Sequence, residues 1–196
     1  KDDGSVITWG RQESGGDSSS VTSSINSNVV KVFSTSEAFA ALKNDGSVVT
    51  WGNSNNGGDS SSISAEISNG VINIFSTTSA FAALKNDGSV ITWGDSIYGG
   101  DSSSVTSKLS DNIINIFSSG GAFAAIKSDG SVVTWGNSGF GGNSSSVASD
   151  LNSGVSEIFS TDNSFAALKD NGSIITWGEI GGGGNSVLVE NSLTNG

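Results

Sequence analysis

The sequence of this chain repeats itself every 42 residues. The stretch FAALKNDGSVVTWG at residues 39–52 returns as FAALKNDGSVITWG at residues 81–94. No insertion or deletion breaks the spacing of the five tryptophans, which are Trp9, Trp51, Trp93, Trp135 and Trp177. Strict recurrence at this period is typical of an array in which one structural unit is repeated. Because a catalytic site is usually written only once, we expect function where the copies differ.

Each unit contains the pattern of several short strands. In the second copy these are GVINIFS at 70–76, AFAALK at 80–85 and SVITWG at 89–94, which are rich in β-branched and aromatic residues. The Asp-Gly pair between the last two segments predicts a hairpin. The rest of the unit is predicted to be loop, with either a weaker fourth strand or a helical turn around 105–109. No long segment has the apolar period of an α-helix, so the fold class is predicted to be all-β.

Repeated units of three or four antiparallel strands at about this length are typical of β-propeller blades. The prediction is therefore a tandem array of 42-residue propeller-type blades, with four full units and a partial fifth. The aromatic residues are predicted to pack between neighbouring sheets, where small residues such as Ala82 and Ala83 allow close approach. Residues 1–196 are interpreted as a single repeat domain and a segment of a longer tandem array. The alternatives are end-to-end assembly, or an unusual ring of about five blades.

Composition excludes several classes of function. The chain has neither cysteine nor histidine, which removes disulfides, the Ser-His-Asp triad and the usual zinc sites. A net charge of −11 disfavours nucleic acid as a partner, and no apolar run is long enough to insert into a membrane. The remaining carboxylates are scattered, and nothing singles out a catalytic pair. The chain is predicted not to be an enzyme and to need no cofactor.

The recurrent GGDSSS segment contains residue types that can bind a metal ion. Asp and Ser oxygens with backbone carbonyls are suitable calcium ligands. However, the aspartate becomes Asn143 in the fourth copy of the segment and Asn185 in the fifth. The favoured interpretation is that this position caps a turn by bonding nearby backbone N–H groups. No metal site is predicted.

The pattern ALKNDGSVVTWGNSNNGG at 41–58 resembles the repeats of the regulator of chromosome condensation family of β-propellers. It is more similar still to the short-blade secreted branch of that family, which includes the β-lactamase-inhibitory propeller protein; there too a Gly-Val stretch follows the loop. The resemblance covers all five units and implies a propeller fold. In the inhibitor, loops on one face grip the target enzyme. Members of the family typically have seven blades, whereas five units stand in this sequence.

Two loops in each unit vary between the copies. One follows the Trp-Gly pair, as in 95–98, and the other follows the first strand, as in 78–79. Because consecutive turns of an antiparallel sheet lie at opposite ends, both variable loops are predicted to lie on one face, away from the constant Asp-Gly turn. The aromatic and apolar residues there are candidate anchors for a partner, and the acids are candidates for setting specificity. The candidate binding residues are Glu13, Glu37, Asp95, Ile97, Tyr98, Phe140, Glu179 and Ile180.

Two functions follow as hypotheses. The first is a non-enzymatic, secreted or cell-surface protein that binds or adheres to a protein or cell-surface partner through the variable loops. The alternative is a structural protein that self-associates through open blade ends into a fibre, filament or surface layer. A third, exchange-factor activity as in the chromosome-condensation relatives, is disfavoured because the chain is acidic and has no basic tail.

Overall fold

The computed structural model describes residues 1–185; residues 186–196, the end of the predicted repeat domain 1–196, lie outside the described residues. Four three-stranded antiparallel sheets follow one another along the chain. Within each sheet the strands are hydrogen-bonded in chain order, so every sheet is a simple meander. The first blade contains β1 (Val29–Ser34), β2 (Ala38–Lys43) and β3 (Val48–Gly52); the second β4 (Val71–Ser76), β5 (Ala80–Lys85) and β6 (Val90–Gly94); the third β7 (Ile113–Ser118), β8 (Ala122–Lys127) and β9 (Val132–Gly136); the fourth β10 (Val155–Ser160), β11 (Ser164–Lys169) and β12 (Ile174–Gly178). The predicted all-β class and propeller-type blades are confirmed.

The Asp-Gly hairpin forms as the sequence predicts. In the second blade the strands β5 and β6 pair with Phe81 opposite Trp93 and Leu84 opposite Val90. The turn between them is closed by the Lys85 N–H, which donates to the Ser89 carbonyl at 2.9 Å. The Asp87 carboxylate accepts the Ser89 N–H at 2.9 Å and the Ser89 hydroxyl at 2.6 Å. These bonds fix the turn and, with it, the register of the two strands.

The segment between blades forms 3-10 turns, which decides between the two predictions for this region in favour of the helical turn. In the second blade the turn spans Ser103–Lys108 and delivers Leu109 into the core. The Asp101 carboxylate accepts the Ser103 N–H at 2.8 Å, and Asn143 accepts the Ser145 N–H in the same way at 3.0 Å. An amide oxygen therefore serves as well as a carboxylate here. The capping interpretation of this segment is confirmed.

The apolar core lies between the blades rather than within them. Between the second and third blades, Ala80 and Ala82 of β5 face Phe123 and Trp135 of the next sheet, and all four are buried. The alanines leave room for the large rings opposite, so the two sheets approach closely. Burial of each such aromatic side chain contributes roughly 1.5–3 kcal/mol. Each blade is therefore stable only against its neighbours.

The tryptophans tie each blade to the preceding one. The Nε1–H of Trp93 donates to the Gly57 carbonyl at 3.1 Å, and equivalent bonds join Trp51, Trp135 and Trp177 to Gly15, Gly99 and Gly141. Gly57 has a φ of +95°, and a Cβ at this position would lie 2.6 Å from the Phe81 ring. Glycine is required here because any side chain would push the ring out of the interface.

The prediction that all five tryptophans are buried is wrong for Trp9, which is 84% exposed. The four other tryptophans each donate a hydrogen bond to the carbonyl of a glycine 36 residues earlier, and they are buried. A second aromatic residue that was predicted to pack between sheets is also exposed: Phe159 of β10, at the other side of the array, is 54% exposed. Each buried cluster in residues 1–185 joins consecutive parts of the chain, and none joins the fourth blade to the first. The array is an open propeller.

Candidate functional site

The two variable loops of each blade are joined by hydrogen bonds. In the second blade the Asp95 N–H donates to the Ser79 carbonyl at 2.9 Å, and the Thr77 hydroxyl donates to the Tyr98 carbonyl at 2.9 Å. The equivalent backbone bond recurs in the other three blades. Both loops thus lie at the same end of each sheet, as predicted. We call this surface the loop face; it comprises residues 11–14, 36–37, 53–56, 78–79, 95–98, 120–121, 137–140, 162–163 and 179–182.

Neighbouring blades are also joined along the loop face. The Ser36 N–H donates to the Thr78 carbonyl at 2.9 Å, the Thr78 N–H to the Gly120 carbonyl at 3.0 Å, and the Gly120 N–H to the Asp162 carbonyl at 2.7 Å. This backbone ladder runs from the first blade to the fourth. It makes the loop face one continuous surface rather than four independent sets of loops.

Tyr98 and Phe140 meet across two blades. Their ring centroids are 6.0 Å apart with the planes tilted by 48°, a geometry that aromatic pairs favour. Both rings are half-buried, and each packs against the core cluster between its own blade and the next. Gly121 lies against both, since a Cβ there would be 2.9 Å from Phe140 and 3.0 Å from Tyr98. Because Gly121 has no side chain, there is room for both rings to pack against it.

Two isoleucines extend the apolar surface of the loop face. Ile97, next in sequence to Tyr98, is 61% exposed. Ile180, in the corresponding loop of the fourth blade, is 75% exposed. The aromatic pair and Ile97 together form an apolar patch over the second and third blades. Ile180 belongs to the blade beyond that patch.

The candidate acids are held in different ways. Glu37 accepts a hydrogen bond from the Asn53 side chain at 3.0 Å, while Glu179 accepts one from the Asn163 side chain. The first pair has the acid in the loop after the first strand, and the second pair has it in the loop after Trp-Gly. The first and fourth blades therefore form the same Glu–Asn hydrogen bond between their two loops, but the loop that supplies the acid in one blade supplies the amide in the other.

The two other candidate acids have more local roles. The Asp95 carboxylate accepts the Ile97 N–H at 2.8 Å and the Tyr98 N–H at 3.3 Å, so it fixes the turn that carries both candidate anchors. Glu13 forms an ion pair with Arg11 at 3.0 Å, and both side chains are well exposed. The loop face retains an excess of acids, because Arg11 is its one basic residue against Glu13, Glu37, Asp95, Asp162 and Glu179.

Sequence reasoning did not find the polar bridge at Asn56. The Asn56 side chain donates to the hydroxyls of Ser36 at 3.2 Å and Ser79 at 3.1 Å, and so links the loops of the first two blades. It occupies the position that Tyr98 and Phe140 hold in the next two blades.

The sequence did contain a signal for the other polar contact between the two variable loops of a blade. Glu37 and Asn53 of the first blade correspond to Asn163 and Glu179 of the fourth, so the acid and the amide exchange places between the two loops.

The part of the chain from 1 to 185 contains no group of three or more His, Cys, Asp or Glu side chains arranged to hold a metal ion. Within the same residues no helix has the length and apolar character needed to cross a bilayer.

No protein-family model matches the sequence, and no curated protein matches it. Among solved structures, human WBSCR16 is similar at 22% identity, with a TM-score of 0.49 over 76% of this chain and 47% of that one. Yeast RCC1 (Prp20) bound to Kap60 is similar at 15% identity, with a TM-score of 0.51 over 76% and 43%. Prp20p from Saccharomyces cerevisiae, whose structure is described together with its binding properties to Gsp1p and histones, is similar at 16% identity, with a TM-score of 0.50 over 78% and 44%.

This chain spans less than half the length of each of these proteins. At such identities the likeness to Prp20 concerns the fold alone. It agrees with the resemblance drawn from the repeat sequence and with the four antiparallel sheets. The fold of this chain is that of an open array of β-propeller blades, similar to the fold of Prp20.

Proposed function

We propose that this chain is a non-enzymatic binding module that holds a protein partner on its loop face. The observation that carries the proposal is the apolar patch of Ile97, Tyr98 and Phe140, which stands on a surface that hydrogen bonds make continuous across the blades. Aromatic residues fixed by packing are effective anchors, since little side-chain entropy is lost when a partner covers them. Ile97 supplies the exposed part of the patch.

Charge indicates the chemistry of the partner. Five acids and one base stand on the loop face, whereas Lys43, Lys85, Lys127 and Lys169 stand at the opposite end of the sheets, beside the Asp-Gly turns. A complementary partner offers an apolar side chain at its centre and lysine or arginine around it. Charges of this kind mainly raise the rate of association and select the partner, while the apolar centre supplies the affinity.

Protein partners are known for one of the proteins with a similar fold, which supports protein binding as the proposed function. Prp20 has been crystallised with Kap60, and binding properties to Gsp1p and histones are described for it. For this chain the proposed setting is secreted or at the cell surface, with adhesion as the role. The resemblance of its repeats to the secreted short-blade branch supports that setting.

Selection from a random peptide library displayed on phage tests the proposal. Peptides selected on the wild-type chain should be enriched in lysine and arginine, and most should bind Ile97→Ser at least ten-fold more weakly. The matched control is Ile72→Ser, because Ile72 is also 57% exposed but lies on β4, outside the loop face. Peptides that bind both variants as they bind the wild type would contradict the loop face as the binding surface.

A second candidate function is blade-to-blade joining, in which copies associate through the uncovered sides of the array. On the fourth blade Phe159, Ala166 and Leu168 are less buried than their equivalents in the second and third blades. At the other side of the array, in the segment that precedes the first blade, Ile7 and Trp9 are exposed. Two apolar surfaces at opposite sides of one array favour association between copies.

A further inference from the structure

Two asparagines of this chain stand in Asn-X-Ser sequons, the acceptor sequence for N-linked glycans in secreted proteins. They are Asn143 in NSS at 143–145 and Asn171 in NGS at 171–173. No other asparagine of the sequence is followed two positions later by serine or threonine, so the loop face contains no sequon. The chain has no proline, and neither sequon is therefore blocked at its middle position.

Both sequons occur at positions that are aspartate in other copies of the repeat. Asn143 corresponds to Asp17, Asp59 and Asp101, and Asn171 corresponds to Asp3, Asp45, Asp87 and Asp129. The carboxylates of Asp87 and Asp101 cap the same turns, but they have no nitrogen that could carry a glycan. The change from carboxylate to amide therefore adds an acceptor group at each position and keeps the turn.

The cap uses the oxygen of each amide and leaves the nitrogen free. Oδ1 of Asn143 accepts the Ser145 N–H at 3.0 Å. Oδ1 of Asn171 accepts the Ser173 N–H at 3.0 Å and the Ser173 hydroxyl at 2.7 Å. The Nδ2 atoms of both asparagines form no hydrogen bond within residues 1–185. Because a glycan is attached to Nδ2, the capping bonds remain when it is added.

Other asparagines use their nitrogen to hold loops together. Asn53 and Asn163 donate from Nδ2 to the carboxylates of Glu37 and Glu179. Asn56 donates from Nδ2 to two serine hydroxyls on the loop face. None of these three asparagines stands in a sequon. The two sequons thus fall on asparagines whose nitrogen is available.

Both sequon asparagines are exposed. Their exposure belongs to the position in the repeat, because Asp87 and Asp129 are also exposed in the two blades that have a neighbour on either side. Asp101, at the position of Asn143, is exposed in the same way. A glycan at either asparagine extends into solvent and displaces no core residue.

We propose that Asn143 and Asn171 are N-glycosylation sites, each of which carries an oligosaccharide on Nδ2. In the transfer step Nδ2 attacks the anomeric carbon of an oligosaccharide that is held on a lipid pyrophosphate. The N–C bond forms, the C–O bond to the pyrophosphate breaks, and the nitrogen loses one proton while the lipid pyrophosphate leaves with the electron pair. The inference rests on the secreted or cell-surface setting of the proposed function, because a chain meets this donor in the secretory route.

The site at Asn171 also bears on which surface a partner uses. Asn171 lies in the turn between β11 and β12, at the end of the sheet opposite to the loop face. A glycan is bulky and hydrophilic, so it disfavours contact of a protein partner with this end of the fourth blade. The modification and the proposed binding surface are therefore compatible at this site.

Release of glycans in heavy-oxygen water tests the assignment. A peptide-N-glycosidase converts each glycosylated asparagine to aspartate and incorporates the heavy oxygen, so that mass spectrometry of peptides identifies the position. The full chain isolated from its source should carry the label at Asn143 and Asn171 and at no other asparagine. Absence of the label from either position would overturn the assignment of that asparagine.

The repeat supplies matched variants for the same chain secreted from cultured eukaryotic cells. Asn143→Asp and Asn171→Asp introduce the residue that other copies use for the same cap. Each variant should lose one glycan and the double variant both, while the urea midpoint of the deglycosylated chain stays unchanged. Asp87→Asn, which creates NGS in the second blade, should gain one glycan. If that variant gains none, the turn does not accept a glycan and the assignment of Asn171 is overturned.

Peptide selection on the loop face separates this inference from the proposed function. A chain that carries no glycan but selects basic peptides through Ile97 overturns the two sites and leaves the proposed binding surface intact. A glycosylated chain whose selected peptides bind Ile97→Ser as they bind the wild type supports the sites and contradicts the binding surface. Label on the chain from cultured cells but not on the chain from its source shows that the sequons are unused, and it overturns the inference.

Discussion

Individual residues in this array take their environment from the neighbouring blade rather than from their own sequence context. Trp9 and Trp93 stand in the same hexapeptide, SVITWG, yet one is 84% exposed and the other 4%. Trp93 donates to the Gly57 carbonyl of the blade before it and stacks on Phe81, with ring centroids 5.2 Å apart. The contribution of each tryptophan to stability therefore depends on the blade beside it.

Substitution of single tryptophans tests this dependence. Trp93→Phe loses the Nε1 hydrogen bond and part of the packed ring, and should lower the free energy of unfolding by about 1–3 kcal/mol. Trp9→Phe serves as the matched control and should change it by less than about 0.5 kcal/mol. Urea denaturation followed by circular dichroism measures both. Equal losses in the two variants would show that Trp9 is also part of a packed interface.

At the level of elements, the Asp-Gly turn is the same in the first three blades and becomes Asn-Gly in the fourth. Hydrogen bonds from the Ser89 hydroxyl and N–H lower the pKa of the Asp87 carboxyl below its usual range. The pKa values of Asp45 and Asp129 are lowered by the equivalent serines for the same reason. In the fourth blade Asn171 accepts the same two bonds from Ser173 without a charge.

These pKa shifts predict loss of stability in acid. Because the carboxyls have lower pKa values in the folded chain than the value of 3.8 expected when unfolded, their stabilisation is complete above that value and disappears as pH falls through the folded pKa. The urea midpoint should be level from pH 7 to pH 5 and should fall below about pH 4.

The triple variant Asp45→Asn, Asp87→Asn, Asp129→Asn is the control for this prediction, since Asn171 shows that the amide supports the turn. Its midpoint should fall less steeply in acid than that of the wild type. A wild-type midpoint that rises as pH is lowered would mean that relief of repulsion within a chain of net charge −11 outweighs the turn bonds.

The strands and turns could be predicted because each blade repeats the same apolar alternation and the same Asp-Gly pair. The location of both variable loops at the same end of each sheet could be predicted from strand direction alone. The contact between Tyr98 and Phe140 could not be derived, because it depends on how far adjacent blades are rotated and on the space at Gly121. The same holds for the Glu37–Asn53 pair, since side-chain reach between two loops is not encoded in a linear period.

On the scale of the whole molecule, neither outer side of the array is covered by another blade from within residues 1–185. Internal interfaces bury Ala82 and Leu84 of the second blade, whereas the equivalent Ala166 and Leu168 of the fourth are only partly buried. A blade contacts only its neighbours, so nothing within residues 1–185 covers the outer side of the fourth sheet. The exposed apolar surface favours association, while a net charge of −11 on every copy opposes it.

Sedimentation velocity of the full chain measures the balance between these two effects. The mean sedimentation coefficient should rise with protein concentration, and more steeply at about 0.5 M than at about 0.05 M salt, because added salt screens the repulsion between copies. Phe159→Ser should reduce the association, since Phe159 is 54% exposed on the uncovered side. Ile97→Ser should associate as the wild type does, because Ile97 belongs to the loop face. A chain that remains a monomer under all these conditions would restrict its function to the loop face, and equal effects of the two substitutions would show that copies meet by another surface.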